Sequence, residues 1–144
     1  MTLTEGRLSI KKAGSLHIID DTYNASPDSV RGALDVLAAS GAEHTVAILG
    51  DMLELGEKTE KQHREIGAYA AGKGIGCVIA VGDLAAHIAE GAGTSGIYFP
   101  AKQDLICSLD RLIPTGRTTV LVKGSRGMQM EEVVTALLNR GEKA

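Results

Sequence analysis

The sequence predicts an α/β fold: a doubly wound, mostly parallel sheet of about six strands with helices on both faces. Two observations support this fold class. Short apolar segments alternate along the 144 residues with longer segments whose apolar residues recur at helical spacing. Residues 44–50 are also apolar almost without interruption, as is typical of strands that are covered on both faces.

The same patterns place the individual elements. Strands are predicted near residues 8–10 and at 16–20, 44–50, 77–82, 97–99 and 118–123. Helices are predicted at about 26–40, 59–72, 83–89, 105–113 and 130–138. No internal repeat or linker divides the sequence, so residues 1–144 are expected to form a single domain with a core of its own.

Composition narrows the possible partners. A formal net charge of −3 gives no general attraction to nucleic acid or to an anionic membrane. No apolar segment approaches the roughly 20 residues that a membrane span requires, and the N-terminus does not resemble a signal peptide. Cys77 and Cys107 both lie in apolar segments, so we interpret them as buried thiols of a reducing compartment. We therefore expect a cytoplasmic protein without nucleic-acid or membrane partners.

The most informative segment is residues 18–29, where an apolar strand leads into Asp20 and Asp21 and a helix follows. Ser26 is predicted to cap that helix, with Pro27 at its first position. Open α/β sheets bind ligands at the carboxyl ends of their strands, and the two carboxylates would lie there. They could accept a hydrogen bond from a ribose hydroxyl or bind a metal. Alternatively, one caps a turn and the other is solvated.

Other polar residues should meet this pair, because right-handed crossovers bring every strand-to-helix turn to one edge of the sheet. The residues expected there are Asp20, Asp21, Asp51, Asp83 (as a helix cap) and the turn after Lys123. Lys123, Ser125 and Arg126 would suit an anion near a helix N-terminus, or form a basic surface turn. The carboxylates of Asp51 and Glu54 could bind an ammonium group or a metal, although loop carboxylates are usually solvated.

Several sites are not indicated by the sequence. The four histidines suggest no metal set, and the cysteines lack Cys-x-x-Cys spacing. No Gly-x-x-x-x-Gly-Lys-Thr or Gly-x-Gly-x-x-Gly segment follows a strand, so any nucleotide contact within this chain must be partial. His63 lies near the start of its helix, where a histidine is more often a surface or packing residue than a ligand.

Three segments together resemble the C-terminal domain of the Mur ligases. They are Asp-Asp-Thr-Tyr-Asn-Ala-Ser-Pro-Asp-Ser (20–29), Leu-Gly-Asp-Met-Leu-Glu-Leu-Gly (49–56) and Val-Lys-Gly-Ser-Arg (122–126). The resemblance extends from about residue 7 to residue 140, and His63 falls where the family has a histidine after its Gly-Asp-Met loop. Ser26 departs from the pattern, because the family more often has Asn there.

The resemblance implies an ATP-dependent amide ligase of peptidoglycan precursor synthesis that uses Mg²⁺ and an acyl phosphate. Within the family it points to the branch that adds D-alanyl-D-alanine to UDP-N-acetylmuramoyl-tripeptide. It also implies two further domains: an N-terminal UDP-sugar domain, and a central ATPase domain with the phosphate loop and the magnesium ligands. Neither lies within these residues, so the isolated chain is expected to be inactive.

The resemblance also assigns residues. Asp21 would contact the ribose, with Tyr23 and Asn24 close to the nucleotide. The substrate-binding residues would be Asp51, His63, Lys123, Ser125 and Arg126. It implies no catalytic residue and no metal ligand in this chain. The domain would close over ATP and help to bind the amine substrate.

The sequence alone leaves two other classes of function as alternatives to the ligase domain. A phosphoacceptor receiver domain also has an acidic pair after one strand, an Asp after a later strand and a Lys after the last. The pair Asp20-Asp21, with Asp51 and Lys123, fits that layout, but Gly-Ser-Arg rather than Pro follows the Lys, and the strand ending at Gly82 lacks the expected Thr or Ser. The third class is an interaction module without catalysis.

Overall fold

Strands and helices alternate as the sequence predicts. The structure is a computed structural model that describes residues 9–22, 25–52, 55–124 and 128–143. Residues 141–143 are described as backbone only. Its strands are Ser9–Ala13 (β1), Leu16–Asp21 (β2), His44–Leu49 (β3), Cys77–Val81 (β4), Gly96–Phe99 (β5) and Thr118–Lys123 (β6). Its α-helices are Pro27–Ala38 (α1), Thr59–Gly72 (α2), Ala86–Ala92 (α3), Lys102–Cys107 (α4), Leu109–Leu112 (α5) and Glu131–Lys143 (α6).

The strands form one six-stranded sheet in the order β1-β2-β6-β3-β4-β5. β1 is antiparallel to β2, and the other neighbouring pairs are parallel. The predicted mostly parallel sheet is therefore confirmed. The last strand in sequence, β6, lies in the middle of the sheet, and all six of its residues are buried.

Helices cover both faces of the sheet, as predicted. Successive side chains of a strand point to opposite faces, and β6 illustrates this. Leu121 packs into the cluster formed by α1, α2 and α3, whereas Val120 and Val122 pack into the cluster formed by α4, α5 and α6. Because both faces are buried, the ligand-accessible parts of the sheet are its ends.

The start of α1 follows the predicted local chemistry. The Ser26 hydroxyl accepts a hydrogen bond from the Ser29 backbone N–H (3.3 Å), and the Ser29 hydroxyl accepts one from the Ser26 N–H (3.0 Å). Pro27 occupies the first turn, where its missing N–H is not needed. This reciprocal cap fixes the direction in which the chain leaves the turn after β2.

The crossing of α2 and α3 depends on two glycines. A Cβ atom on Gly67 would collide with the carbonyl oxygen of Ile88, and one on Gly91 would collide with the carbonyl oxygen of Arg64. The helices therefore approach each other backbone to backbone. Only glycine permits a contact of this kind.

The prediction of two buried thiols is wrong for one of them. Cys107 is exposed at the end of α4, whereas Cys77 is half-buried at the start of β4. Neither is in a disulfide, and burial raises the pKa of the Cys77 thiol. Cys107 follows the apolar Leu105 and Ile106 in sequence, but the short helix buries only Leu105 fully. In the part of the chain described, no helix is long and apolar enough to span a bilayer.

Candidate functional site

The three motif segments meet at the carboxyl edge of the sheet. In the parallel register, Asp21 of β2 and Leu49 of β3 both lie opposite Lys123 of β6. The Gly50 N–H continues the ladder and donates to the Lys123 carbonyl oxygen at 2.8 Å. The predicted convergence of Asp21, Asp51 and the end of β6 at one edge is thus observed.

Asp21 and Lys123 form a buried ion pair at this edge. The distance from Lys123 Nζ to Asp21 Oδ2 is 2.8 Å, and the two side chains are only 2% and 11% exposed, respectively. A charge removed from water needs a partner of opposite sign, and each residue supplies it for the other. The Lys123 ammonium group donates to the carboxylate on the neighbouring strand and thereby orients Asp21. Its assignment as a substrate-binding residue stays a prediction.

The two consecutive carboxylates have different surroundings, because neighbouring residues of a strand point to opposite faces. Asp20 pairs with Lys11 of β1 at 2.6 Å, and its other oxygen accepts a hydrogen bond from the Thr22 hydroxyl at 3.0 Å. The pair is therefore not a joint ligand site. Asp20 ties the antiparallel strand β1 to β2, and Asp21 belongs to the motif edge.

Asp51 connects the loop after β3 to the start of α3. Its Oδ1 atom accepts hydrogen bonds from the backbone N–H groups of Leu84 (3.0 Å) and Ala85 (2.8 Å). The predicted capping of this helix by Asp83 is therefore wrong, because a carboxylate from a distant loop takes that place. Gly82 allows the approach: its φ is 121°, and a Cβ atom there would collide with the Asp51 carboxylate.

The Asp51 carboxyl is half-buried and partly engaged. Burial raises its pKa, and the hydrogen bonds from Ala85 and Leu84 counteract part of that effect. Among the residues that the structure describes, no hydrogen bond to Oδ2 is found. This oxygen is thus available to accept a hydrogen bond from a ligand.

His63 is fully buried, with an exposed fraction of 0%. Its Nε2 accepts a hydrogen bond from the Met52 N–H (2.9 Å), and its Nδ1 donates to the Thr59 carbonyl oxygen (2.6 Å). Because a backbone N–H only donates and a carbonyl only accepts, the ring is neutral and carries its proton on Nδ1. In this structure His63 supports the loop and presents no ring nitrogen to a ligand, contrary to the expectation that it lines the substrate pocket.

Met128, which comes after β6 in sequence, contacts the loop after β3. The sequence did not lead us to expect this contact. The Asp51 N–H points at Met128 Sδ (3.0 Å), and the Met128 carbonyl accepts a hydrogen bond from Lys102 Nζ (2.9 Å). Met128 packs closely against Gly50, where a Cβ atom would lie 2.6 Å from its sulfur. The one available signal was a glycine directly after each of two strands, Gly50 and Gly124, which indicates a close backbone approach.

The remaining predicted site residues, Tyr23, Asn24, Ser125 and Arg126, lie outside the described residues, as does Glu54. Their assignments stay predictions. Among the residues that are described, no group of three or more His, Cys, Asp or Glu side chains is placed to hold a metal ion.

Comparison with known proteins identifies the family. The sequence profile described as “Mur ligase, glutamate ligase domain” matches residues 6–126. The chain belongs to the Mur ligase family. The resemblance carried by the three motif segments is thereby confirmed.

Similar Mur ligases match nearly the whole chain. The UDP-N-acetylmuramoyl-tripeptide–D-alanyl-D-alanine ligase of Escherichia coli (strain K12) is 41% identical over 138 residues, which cover 94% of this chain and 30% of that protein. The protein of the same name from Bacillus subtilis (strain 168) is 37% identical over 145 residues, or 96% of this chain and 32% of that protein. The chain thus spans about a third of the length of these relatives.

Solved structures confirm the fold. A crystal structure of MurF from Acinetobacter baumannii superposes with a TM-score of 0.88 at 32% identity, and the match covers 94% of this chain and 31% of that one. MurF ligase from Thermotoga maritima in complex with ADP superposes with a TM-score of 0.82 at 25% identity, and the match covers 99% and 33%.

Proposed function

We propose that this chain is the C-terminal domain of an ATP-dependent ligase that joins D-alanyl-D-alanine to UDP-N-acetylmuramoyl-tripeptide during peptidoglycan precursor synthesis in the cytoplasm. The observation that carries the proposal is the meeting of three ordered motif segments at one sheet edge, in a chain 41% identical to a ligase of that name. The relatives' names supply the substrates, and the ADP complex of the Thermotoga maritima protein supports ATP as the nucleotide.

The complete enzyme would contain two further domains. An N-terminal domain would bind the UDP-sugar, and a central ATPase domain would supply the phosphate loop and the ligands for Mg²⁺. In support, this chain covers only 30% and 32% of the two relatives named above. Residues 1–144 would act as one domain that closes over ATP, excludes water from the reaction and contributes to amine binding. By itself the chain would be inactive.

In this reaction the γ-phosphoryl group of ATP is transferred to the terminal carboxylate of the tripeptide, and the amine of D-alanyl-D-alanine then displaces phosphate to form the amide. Asp21 would bind the nucleotide. Its carboxylate can accept a hydrogen bond from a ribose hydroxyl, and Lys123 holds it at the carboxyl edge. Tyr23 and Asn24 follow it directly in sequence and would lie beside the same nucleotide.

The substrate side would use the other two segments. Asp51 Oδ2 lacks a hydrogen-bond partner among the described residues and suits the amine of the dipeptide. Ser125 and Arg126 follow the end of β6, where a guanidinium group would bind a substrate carboxylate. Lys123 would act indirectly by orienting Asp21, and His63 would act through the backbone of the loop that carries Asp51.

The receiver alternative is not favoured by the strand order. Receiver domains have the order 2-1-3-4-5, which leaves their last strand at an edge of the sheet. Here the last strand, β6, lies between β2 and β3. The lysine at the end of β6 therefore lies at the centre of the carboxyl edge, paired with Asp21, instead of at an edge strand.

The direct test is a substrate-requirement assay of the complete gene product. With ATP, Mg²⁺, UDP-N-acetylmuramoyl-tripeptide and D-alanyl-D-alanine, we expect phosphate release together with a product whose mass equals that of both substrates minus water. Omission of either peptide substrate should abolish the product. A complete gene product that folds but forms no amide would contradict the proposal and favour an interaction module.

A further inference from the structure

The short segment from Gly50 to Met52 is anchored on three sides. The Asp51 carboxylate binds two N–H groups at the start of α3, the Asp51 N–H points at Met128 Sδ, and the Met52 N–H donates to His63 Nε2. Two of these anchors join the segment to the start of α3 and to Met128. The third comes from His63 in the core, and the proposed function says only that it acts through the loop backbone, not what it does for the Asp51 carboxylate.

The anchor at His63 is highly constrained. Met52 is 1% exposed and His63 is 0% exposed, so water cannot replace the imidazole nitrogen as the acceptor of the Met52 N–H. The hydrogen bond from Nδ1 to Thr59 is different, because the Thr59 carbonyl lies at the start of α2, where the helix itself supplies a donor four residues on. Only the Nε2 lone pair is therefore indispensable to the loop.

This lone pair acts on the neighbouring residue. Asp51 precedes Met52 directly, and any shift of the Met52 backbone moves the Asp51 carboxylate and the contact of its N–H with Met128. Met128 follows the motif segment 122–126 by two residues in sequence. A defect at His63 would therefore reach both loops that the proposed function assigns to the substrates.

We propose that His63 is a positioning residue whose neutral ring, through Met52, holds the Asp51 carboxylate where the amine substrate binds. This inference rests on the proposed function for its substrate, but its structural part does not. His63 touches neither substrate, and its effect is exerted wholly through the backbone hydrogen bond to Met52.

The chain offers a test with two conservative variants. In His63→Gln the amide oxygen occupies roughly the place of Nε2 and can accept the Met52 N–H. In His63→Asn the shorter amide reaches only the place of Nδ1 and can still donate to Thr59, but leaves the Met52 N–H without a partner. His87, which lies on α3 beside Glu90 and is 30% exposed, provides the matched control pair His87→Gln and His87→Asn.

The variants are compared in the complete enzyme by steady-state kinetics with D-alanyl-D-alanine varied. We expect His63→Asn to raise KM for D-alanyl-D-alanine by roughly tenfold or more, since a buried N–H without an acceptor weakens an equilibrium by about that factor or more. KM for ATP should change much less. His63→Gln should stay within about threefold of the wild type, because a hydrogen bond is exchanged for a similar one. Both His87 variants should match the wild type.

Hydrogen–deuterium exchange of the complete enzyme separates the inference from the proposed function. We expect His63→Asn, but not His63→Gln, to accelerate exchange in peptides that cover residues 50–56 and 82–86. Equal exchange and equal KM in the Asn and Gln variants would overturn the inference. An inactive wild-type enzyme would refute the proposed function, and unchanged exchange in His63→Asn would then still refute the positioning role.

Discussion

The close crossing of α2 and α3 predicts that an added methyl group at Gly67 strongly destabilises the fold. In Gly67→Ala the added methyl group would collide with the Ile88 carbonyl oxygen and lie within 2.8 Å of the Ala92 nitrogen. Both are backbone atoms of the opposite helix, so no side-chain rotation relieves the contact and the helices must move apart. Ile66 and Ile88, each at most 1% exposed, would then lose part of their packing.

The magnitude follows from these contacts. Added methyl groups in a packed interior destabilise by about 1–3 kcal/mol when side chains can adjust, and by more when they cannot. We therefore expect Gly67→Ala to lower the free energy of unfolding by at least about 3 kcal/mol. For a chain of this size each kcal/mol corresponds to roughly 2–4 °C, so the melting temperature should fall by at least about 6 °C.

A second glycine in a helix supplies the control. Gly32 lies in the middle of α1 and is exposed, and a methyl group added there would have nothing within 4 Å. Gly32→Ala should therefore raise the melting temperature by about 2–4 °C, because alanine is favoured over glycine in a helix by about 1 kcal/mol. Thermal unfolding of both variants, followed by far-UV circular dichroism, checks the prediction. A Gly67→Ala protein as stable as the wild type would refute the proposed helix crossing.

Two further predictions concern the ionised residues of the carboxyl edge. Asp51→Ala should destabilise the chain by about 1 kcal/mol because it removes the acceptor for Leu84 and Ala85, whereas Asp51→Asn keeps an acceptor oxygen and should leave stability near neutral pH unchanged or higher. Because burial raises the folded-state pKa of Asp51 above the unfolded value of 3.8, its stabilising contribution is present below that value and is lost as pH rises through the folded-state pKa. In urea denaturation, the free energy of unfolding of the wild type should therefore rise relative to that of Asp51→Asn as pH falls toward the unfolded-state pKa. A difference in free energy that does not change with pH would contradict this. For the buried pair, Asp21→Ala should lower the free energy of unfolding by about 3–5 kcal/mol, and the double variant Asp21→Leu/Lys123→Met should be less destabilised than that single variant. A double-mutant cycle of Asp21→Leu, Lys123→Met and their combination, measured by urea denaturation, gives the coupling, and additive effects would show that the pair does not interact.

The fold could be predicted because its signals are local. Apolar periodicity placed the strands and helices, and the Ser26-Pro27 cap fixed the start of α1 from a few neighbouring residues. The exposed Cys107 was mispredicted because a short apolar segment does not reveal which side of a short helix faces the core.

The site was only partly predictable, because its key contacts join residues far apart in sequence. Which strands end at the same edge follows from the alternation of strands and helices, so the meeting of Asp21 with Lys123 could be expected. That they would pair with each other depends on β6 lying next to β2, a crossover that no local pattern specifies. The capping of α3 by Asp51 and the burial of His63 against Met52 likewise arise from tertiary packing.

Two arginines, one before β6 and one after it in sequence, test whether the carboxyl edge of the sheet is the substrate-binding face of a ligase domain. Arg126 follows the strand and Arg117 precedes it, where Arg117 contacts only the Gly41 carbonyl among its described side-chain hydrogen-bond partners. The measurement is kcat/KM of the complete enzyme for D-alanyl-D-alanine in the wild type, Arg126→Ala and Arg117→Ala. We predict a loss of roughly tenfold or more for Arg126→Ala, as expected when a charged hydrogen bond to substrate is removed, and no substantial change for Arg117→Ala. Equal activities of the two variants, both folded, would contradict a substrate-binding role for this edge.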